Sequence, residues 1–202
     1  MRYSLLAIGV LALAVIFVII VRRPATEAAQ RVPEAAGTTA PEAAARAAPE
    51  EVGTTAPEFA ASTLWIQSEP LTLASLRGRV VVVHFWTFGC INCIHNFPSY
   101  KAWQEQYAGK AVTIVGIHTP ETEGEADVKR VLAKAEANGL KFPIAVDNDG
   151  QNWRNWQNRY WPSVYLLDKK GRVRHRWEGE LNFASTEGER IMRQRIDELL
   201  AE

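Results

Sequence analysis

The apolar positions of this chain change period in a regular order. Val80 to Trp86 is an unbroken β-branched and aromatic run, as expected of a central strand covered on both faces. From Cys90 to Tyr107 the apolar residues Ile94, Phe97, Tyr100, Trp103 and Tyr107 recur every three or four positions. That spacing predicts a helix, which Pro98 should kink. Val112 to Ile117 is the next buried strand. A helix is expected after Thr122, with Glu125 completing a capping box, Val128, Val131, Leu132 and Ala135 as its inner stripe, and Asn138-Gly139 as its stop. Phe142 to Val146 reads as a short strand and Gln151 to Asn158 as a brief helix. Ser163 to Leu167 and Arg172 to Trp177 flank Asp168-Lys169-Lys170-Gly171 and predict a β-hairpin. The last helix should start at Thr186, with Glu189 as capping partner and Ile191, Met192, Ile196, Leu199 and Leu200 on one face. Strands alternating with helices in this way predict a three-layer α/β/α sandwich over residues 58–202.

The chain before that domain is patterned differently. Leu5 to Val21 is continuously apolar apart from one glycine, and as a helix it would span roughly 26 Å, near the lower limit for a bilayer. It is a transmembrane anchor or a signal peptide. Arg22, Arg23 and Pro24 follow it, where a cleavage site would carry small residues, and this favours an uncleaved anchor over 1–23. Arg2 on one side nearly balances Arg22 and Arg23 on the other, so charge leaves the orientation open. Residues 24–57 are mostly Ala, Pro, Glu, Thr and Gly, too poor in large apolar side chains to offset their ordering entropy. They read as a disordered tether, built in part from a duplicated Gly-Thr-Thr-Ala-Pro-Glu segment (37–42 and 53–58).

Composition narrows the chemistry. The 202 residues carry 23 basic and 23 acidic side chains, which argues against nucleic acid as the main partner. The two cysteines, Cys90 and Cys93, stand where a buried strand passes through Thr87-Phe88-Gly89 into a helix. At a helix N-terminus unpaired N–H groups and the helix dipole favour a thiolate, the attacking species in disulfide exchange. Cys90 is therefore the candidate nucleophile, and Cys93, one turn on, the candidate resolving residue. Structural zinc would need four ligands, and His84, His95, His118 and His175 show no close paired spacing. Asp147-Asn148-Asp149-Gly150 fails as a calcium loop, because with Gly150 sixth the first and twelfth ligands would be Ala145 and Trp156; a turn capping the following helix accounts for it. No metal or organic cofactor is implied.

Val80 to Pro98, reading VVVVHFWTFGCINCIHNFP, resembles the active-site segment of membrane-tethered thioredoxin-like proteins of the TlpA, ResA and DipZ type. Gly116–Glu121, Ala145–Asp149 and Asn158–Pro162 resemble further segments of the DipZ thioredoxin-like domain in the same order, so the similarity runs from about Pro57 to Leu200. The resemblance implies a thioredoxin-like fold, a location in the cell membrane with the catalytic domain on the periplasmic or outer side, and dithiol-disulfide exchange with partner proteins. It places a cis-proline at Pro162, beside which the backbone of Trp161 would pair with an extended substrate segment, and an active-site aromatic at Trp86. His118 and Glu121, after a strand whose carboxyl end borders the same cleft, are further substrate-side candidates.

Two departures stand out. Where many relatives have a buried acidic residue this chain has His84, an imidazole suited to moving the proton of Cys93 near neutral pH, or else a strand histidine held by a carbonyl. Where the ResA-type pattern has a glutamate, the chain has Asn96. The expected function is an extracytoplasmic thiol-disulfide oxidoreductase, acting as a reductant fed by a membrane electron donor. A thiol peroxidase, suggested by Thr87 three residues before Cys90 but lacking the proline at Val83, and a copper-binding module are the alternatives.

Overall fold

The structure, a computed structural model, describes residues 53–202; the expected membrane segment and most of the expected tether lie outside them. Among the described residues no helix is long and apolar enough to cross a membrane. A six-stranded sheet organises the domain. Its strands are β1 (Leu64–Ile66), β2 (Val80–Trp86), β3 (Val112–His118), β4 (Ile144–Val146), β5 (Ser163–Leu167) and β6 (Val173–Glu178), in the spatial order β1-β4-β3-β2-β5-β6. β2, β3 and β4 run parallel, while β1, β5 and β6 pair antiparallel with their neighbours.

The alternation of β2 assigns its two faces. Val80, Val82 and Trp86 pack with Phe97, Tyr100 and Trp103 of α1 (Ile91–Gln106), with Val131 and Ala135 of α2 (Val128–Ala137) and with Met192, Ile196 and Leu199 of α4 (Gly188–Ala201). Val81, Val83 and Phe85 face the other way, against Phe59, Leu73, Leu76, Trp156 and Tyr165. The second face is covered by the short α3 (Gln151–Asn155) and by coil from the 56–76 stretch. The outer layers are thus unequal: three helices lie on one side, and a thin cover seated by large aromatic side chains on the other.

Several expected details change. β1, too short to show a period, completes the sheet edge beside β4. The helix expected directly after Thr122 is a 3-10 turn at Glu123–Glu125, and α2 begins only at Val128, where the Asp127 carboxylate accepts the N–H groups of Lys129 and Arg130. Glu125 turns elsewhere. The Thr186/Glu189 box does not form either: Thr186 donates to the Leu181 carbonyl and Glu189 accepts from Trp103 Nε1 at 2.9 Å. α1 itself spans Ile91–Gln106 with Pro98 inside it, the extent that its apolar spacing expects. The fold also reaches back into the stretch expected to be tether, since Gly53 and Ala56 donate to the carbonyls of Val173 and Gly171, and Thr54 accepts from Val173. Ala56 is buried there.

Candidate functional site

Three segments converge at one end of the central strands: the carboxyl ends of parallel β2 and β3, and the loop that enters β5. Cys90 caps α1 in extended conformation (φ −83°, ψ 113°), and its sulfur accepts the Cys93 backbone N–H at 3.4 Å. Cys90 is partly exposed and Cys93 fully buried; both are free thiols. Their environments separate them. The hydrogen bond with the Cys93 side chain, helped by the N–H groups of Cys93 and Asn92, outweighs burial and the nearby Glu121 charge and brings Cys90 down to about 7. Burial, the Cys90 hydrogen bond and the Cys90 charge push Cys93 far up, opposed by a backbone hydrogen bond from Thr87. One thiol is ready to ionise near neutral pH and is open to a partner; the other is held back behind it.

Trp86 is fully buried at the end of β2, edge-on to Phe97 and His118. It forms the floor beneath the pair and has no surface of its own to offer a substrate. The Trp161–Pro162 peptide is cis. The Pro162 carbonyl accepts from Gly179 at 2.8 Å, while Trp161 stacks on Trp153 (centroids 3.9 Å apart) and donates its Nε1–H to the Thr119 carbonyl at 3.1 Å. That bond ties the loop before β5 to the loop after β3. Phe88, Cys90 and Trp161 are partly buried and each packs against the helix-side core, and Ile91 and Ile94 are exposed on the first turns of α1. The redox pair therefore sits in an apolar surround.

His84 is completely buried, stacked on Tyr100 at 4.1 Å and edge-on to Phe142. Desolvation lowers it from 6.5 to about 3. Burial therefore works against the protonated ring that a base near neutral pH would have to form, and the imidazole is packed as an aromatic. His118 is buried as well, and desolvation, only partly offset by the Glu125 charge, lowers it to about 4. It packs against Trp86 and Phe88, so it stands under the site and not at its mouth. Glu121 is exposed, and its charge acts on both cysteines. Asn96 anchors a different loop, accepting Leu181 N–H at 2.7 Å and donating to the Gly179 carbonyl at 3.2 Å. His95 lies on the surface, paired with Glu180 at 3.0 Å. Asp147 caps α3, accepting from Asn152 N at 2.8 Å and Trp153 N at 2.9 Å, as the turn reading of that segment expects.

Glu125 was not legible as a site residue. Its carboxylate is buried, with one oxygen accepting both the Thr87 hydroxyl and, at 2.9 Å, the Glu121 N–H. Burial alone would raise its pKa, but these hydrogen bonds hold it below the ordinary carboxylate value. Nothing in the local sequence distinguishes it from a helix-capping glutamate.

The chain is similar to known proteins. The AhpC/TSA family profile matches residues 52–176. Protein DipZ of Mycobacterium tuberculosis is 42% identical over 129 residues, which are 62% of this chain but 18% of that protein, so the chain spans under a fifth of the DipZ length. Thiol-disulfide oxidoreductase YkuV of Bacillus subtilis is 25% identical over 138 residues, 68% of this chain and 88% of YkuV. The crystal structure of a thiol-disulfide isomerase from Corynebacterium glutamicum superposes with a TM-score of 0.62 at 26% identity, covering 73% of this chain and 97% of that one.

Proposed function

This chain belongs to the AhpC/TSA family of thioredoxin-like proteins, and from that premise we propose that it reduces disulfides of partner proteins, with Cys90 attacking and Cys93 resolving. One observation carries the reading: of two thiols three residues apart, one is partly exposed and brought down to about 7, and the other is buried and pushed up. The Cys90 thiolate attacks one sulfur of the partner's disulfide, forming a mixed disulfide and releasing the partner's other sulfur as thiolate. Cys93 then loses its proton and attacks the Cys90 sulfur, which releases the second partner thiolate and leaves a Cys90–Cys93 disulfide. Two electrons pass from this chain to the partner.

The direction of flow rests on how strongly the reduced state is stabilised. A strong oxidant such as DsbA has a nucleophilic thiol at about 3.5, whereas thioredoxin, a reductant, has one at about 7. Cys90 at about 7 belongs with the second. In this reading the Trp161–Pro162 loop receives an extended segment of the partner beside Cys90, with Glu121 at the rim. Leu5 to Val21 anchors the chain in the cell membrane with the redox domain on the extracytoplasmic side. A membrane electron donor re-reduces the pair, since one apolar span carries no redox group. A peroxidase would need the Thr87 hydroxyl free beside Cys90, but here it is donated to Glu125, which favours exchange with disulfides.

The test is to incubate the full chain, Cys93→Ser and Cys90→Ser with a disulfide-bonded protein such as insulin. The parent should reduce it catalytically with added dithiol, and Cys93→Ser should accumulate a thiol-sensitive covalent adduct through Cys90. A parent that never cycles between dithiol and disulfide would sink the reading and revive the copper-binding alternative. Thiols lost rapidly and stoichiometrically to dilute peroxide, with insulin untouched, would favour the peroxidase.

A further inference from the structure

The proposed exchange uses two sulfurs, but a buried carboxylate that touches neither is built into their support. Thr87 joins the elements. Its carbonyl accepts the Cys90 N–H at 3.4 Å. Its side chain is in turn held from behind. The hydroxyl's one proton goes to Glu125 Oε2, so at 3.2 Å from His118 Nε2 its oxygen is left to accept. That fixes His118 as the neutral tautomer protonated on Nε2. The same Glu125 oxygen accepts the Glu121 N–H at 2.9 Å, and the other oxygen lies over Gly89, where a Cβ would collide with it. Arg130 completes the surround, with its guanidinium 2.5 Å from the Gly124 carbonyl and over the Phe88 ring.

We infer that Glu125 is the positioning residue of the redox pair: through Thr87 it fixes the residue whose carbonyl holds the Cys90 N–H, and it locks the turn carrying Cys90 to the loop carrying Glu121. This deepens the exchange reading and rests on it. The second step should depend on Glu125 more than the first. Cys90 keeps the N–H groups of Cys93 and Asn92 whatever Thr87 does, because α1 supplies them. Cys93 must become a thiolate in a fully buried site and meet the Cys90 sulfur there, and that alignment depends on the turn that the Thr87 carbonyl holds through the Cys90 N–H.

The experiment uses a chromophoric aryl disulfide and the reduced full chain under single-turnover conditions. Attack by Cys90 releases one aryl thiolate and leaves an aryl mixed disulfide; attack by Cys93 on the Cys90 sulfur releases the second. The ratio of the two rates is the readout, and a loss of stability alone would not move it. Glu125→Ala and Thr87→Val should slow the second release about tenfold or more relative to the first, the size of effect that misplacing a reacting group produces. Glu125→Gln should keep most of the parent ratio, since a single amide oxygen can accept from both Thr87 and Glu121. Thr87→Ser should keep it too. Thr87→Val is close to isosteric, so it carries the test should Glu125→Ala fail to fold. Parent-like ratios in Thr87→Val and in folded Glu125→Ala would overturn the inference while leaving the exchange reading intact. A parent chain that releases one aryl thiolate but never the second would overturn the exchange reading itself.

Discussion

The backbone N–H of Cys93 donates to the sulfur of Cys90 at 3.4 Å, so the resolving residue helps stabilise the thiolate that starts the reaction. The helix turn that places the two residues together also makes them unequal. The partly exposed cysteine receives N–H donors at the N-terminus of α1, and the buried one faces the apolar core.

That inequality predicts an alkylation pattern. Iodoacetamide should modify the reduced chain at Cys90 alone, with a rate that rises through a midpoint near pH 7 and then levels off. Mass mapping after partial reaction checks the site, and the pH series checks the midpoint. Equal labelling of Cys93 would contradict the burial.

Acid stability should report the buried histidines. His84 is lowered from 6.5 to about 3 and His118 to about 4, so between those values and 6.5 the unfolded chain binds protons that the folded chain does not. Stability should therefore be fully present above pH 6.5 and decline as the pH falls, by up to about 1.4 kcal/mol per pH unit for each histidine. Urea denaturation across that window should show a shallower slope in His84→Asn than in the parent.

Gly116 gives a packing test of the same region. A Cβ there would come within 2.9 Å of Trp86 Nε1, 3.1 Å of His84 Nε2 and 3.2 Å of the Phe142 ring. Gly116→Ala should destabilise the fold by about 1–3 kcal/mol, the usual cost of overpacking a filled core. An unchanged urea midpoint would mean that these rings do not crowd the β3 backbone.

The start of the folded unit is testable by truncation. A chain beginning at Pro57 loses the three backbone hydrogen bonds that Gly53, Thr54 and Ala56 make with Gly171 and Val173. It should be about 1–3 kcal/mol less stable than one beginning at Gly53, at the usual net worth of such bonds. Equal urea midpoints would place the true boundary near Pro57.

The strands and helices with long periodic runs were legible in the sequence, because β2, β3 and α1 bury most of their apolar positions and the pattern records it. β1 was not, since three residues at a sheet edge carry no period. The start of α2 was misplaced because Thr122 and Glu125 have capping-box spacing, while the glutamate's better partners, Thr87 and the Glu121 N–H, come from other turns. His84 shows the same limit. Its residue type suggested a proton carrier, but Tyr100, Phe142 and Trp86 close around it and depress its basicity. Cys90 and Cys93 were legible because their spacing and the strand-to-helix passage are local. The buried support beneath them is assembled by tertiary contacts.

The most direct test of the central claim is the reduction potential of the Cys90/Cys93 couple in the full chain, equilibrated against glutathione or dithiothreitol buffers. A reversible two-electron couple near thioredoxin's, about −270 mV or lower, is the predicted result for a reductant. A couple near about −120 mV, the range of a strong oxidant, would contradict it and make the chain a disulfide donor.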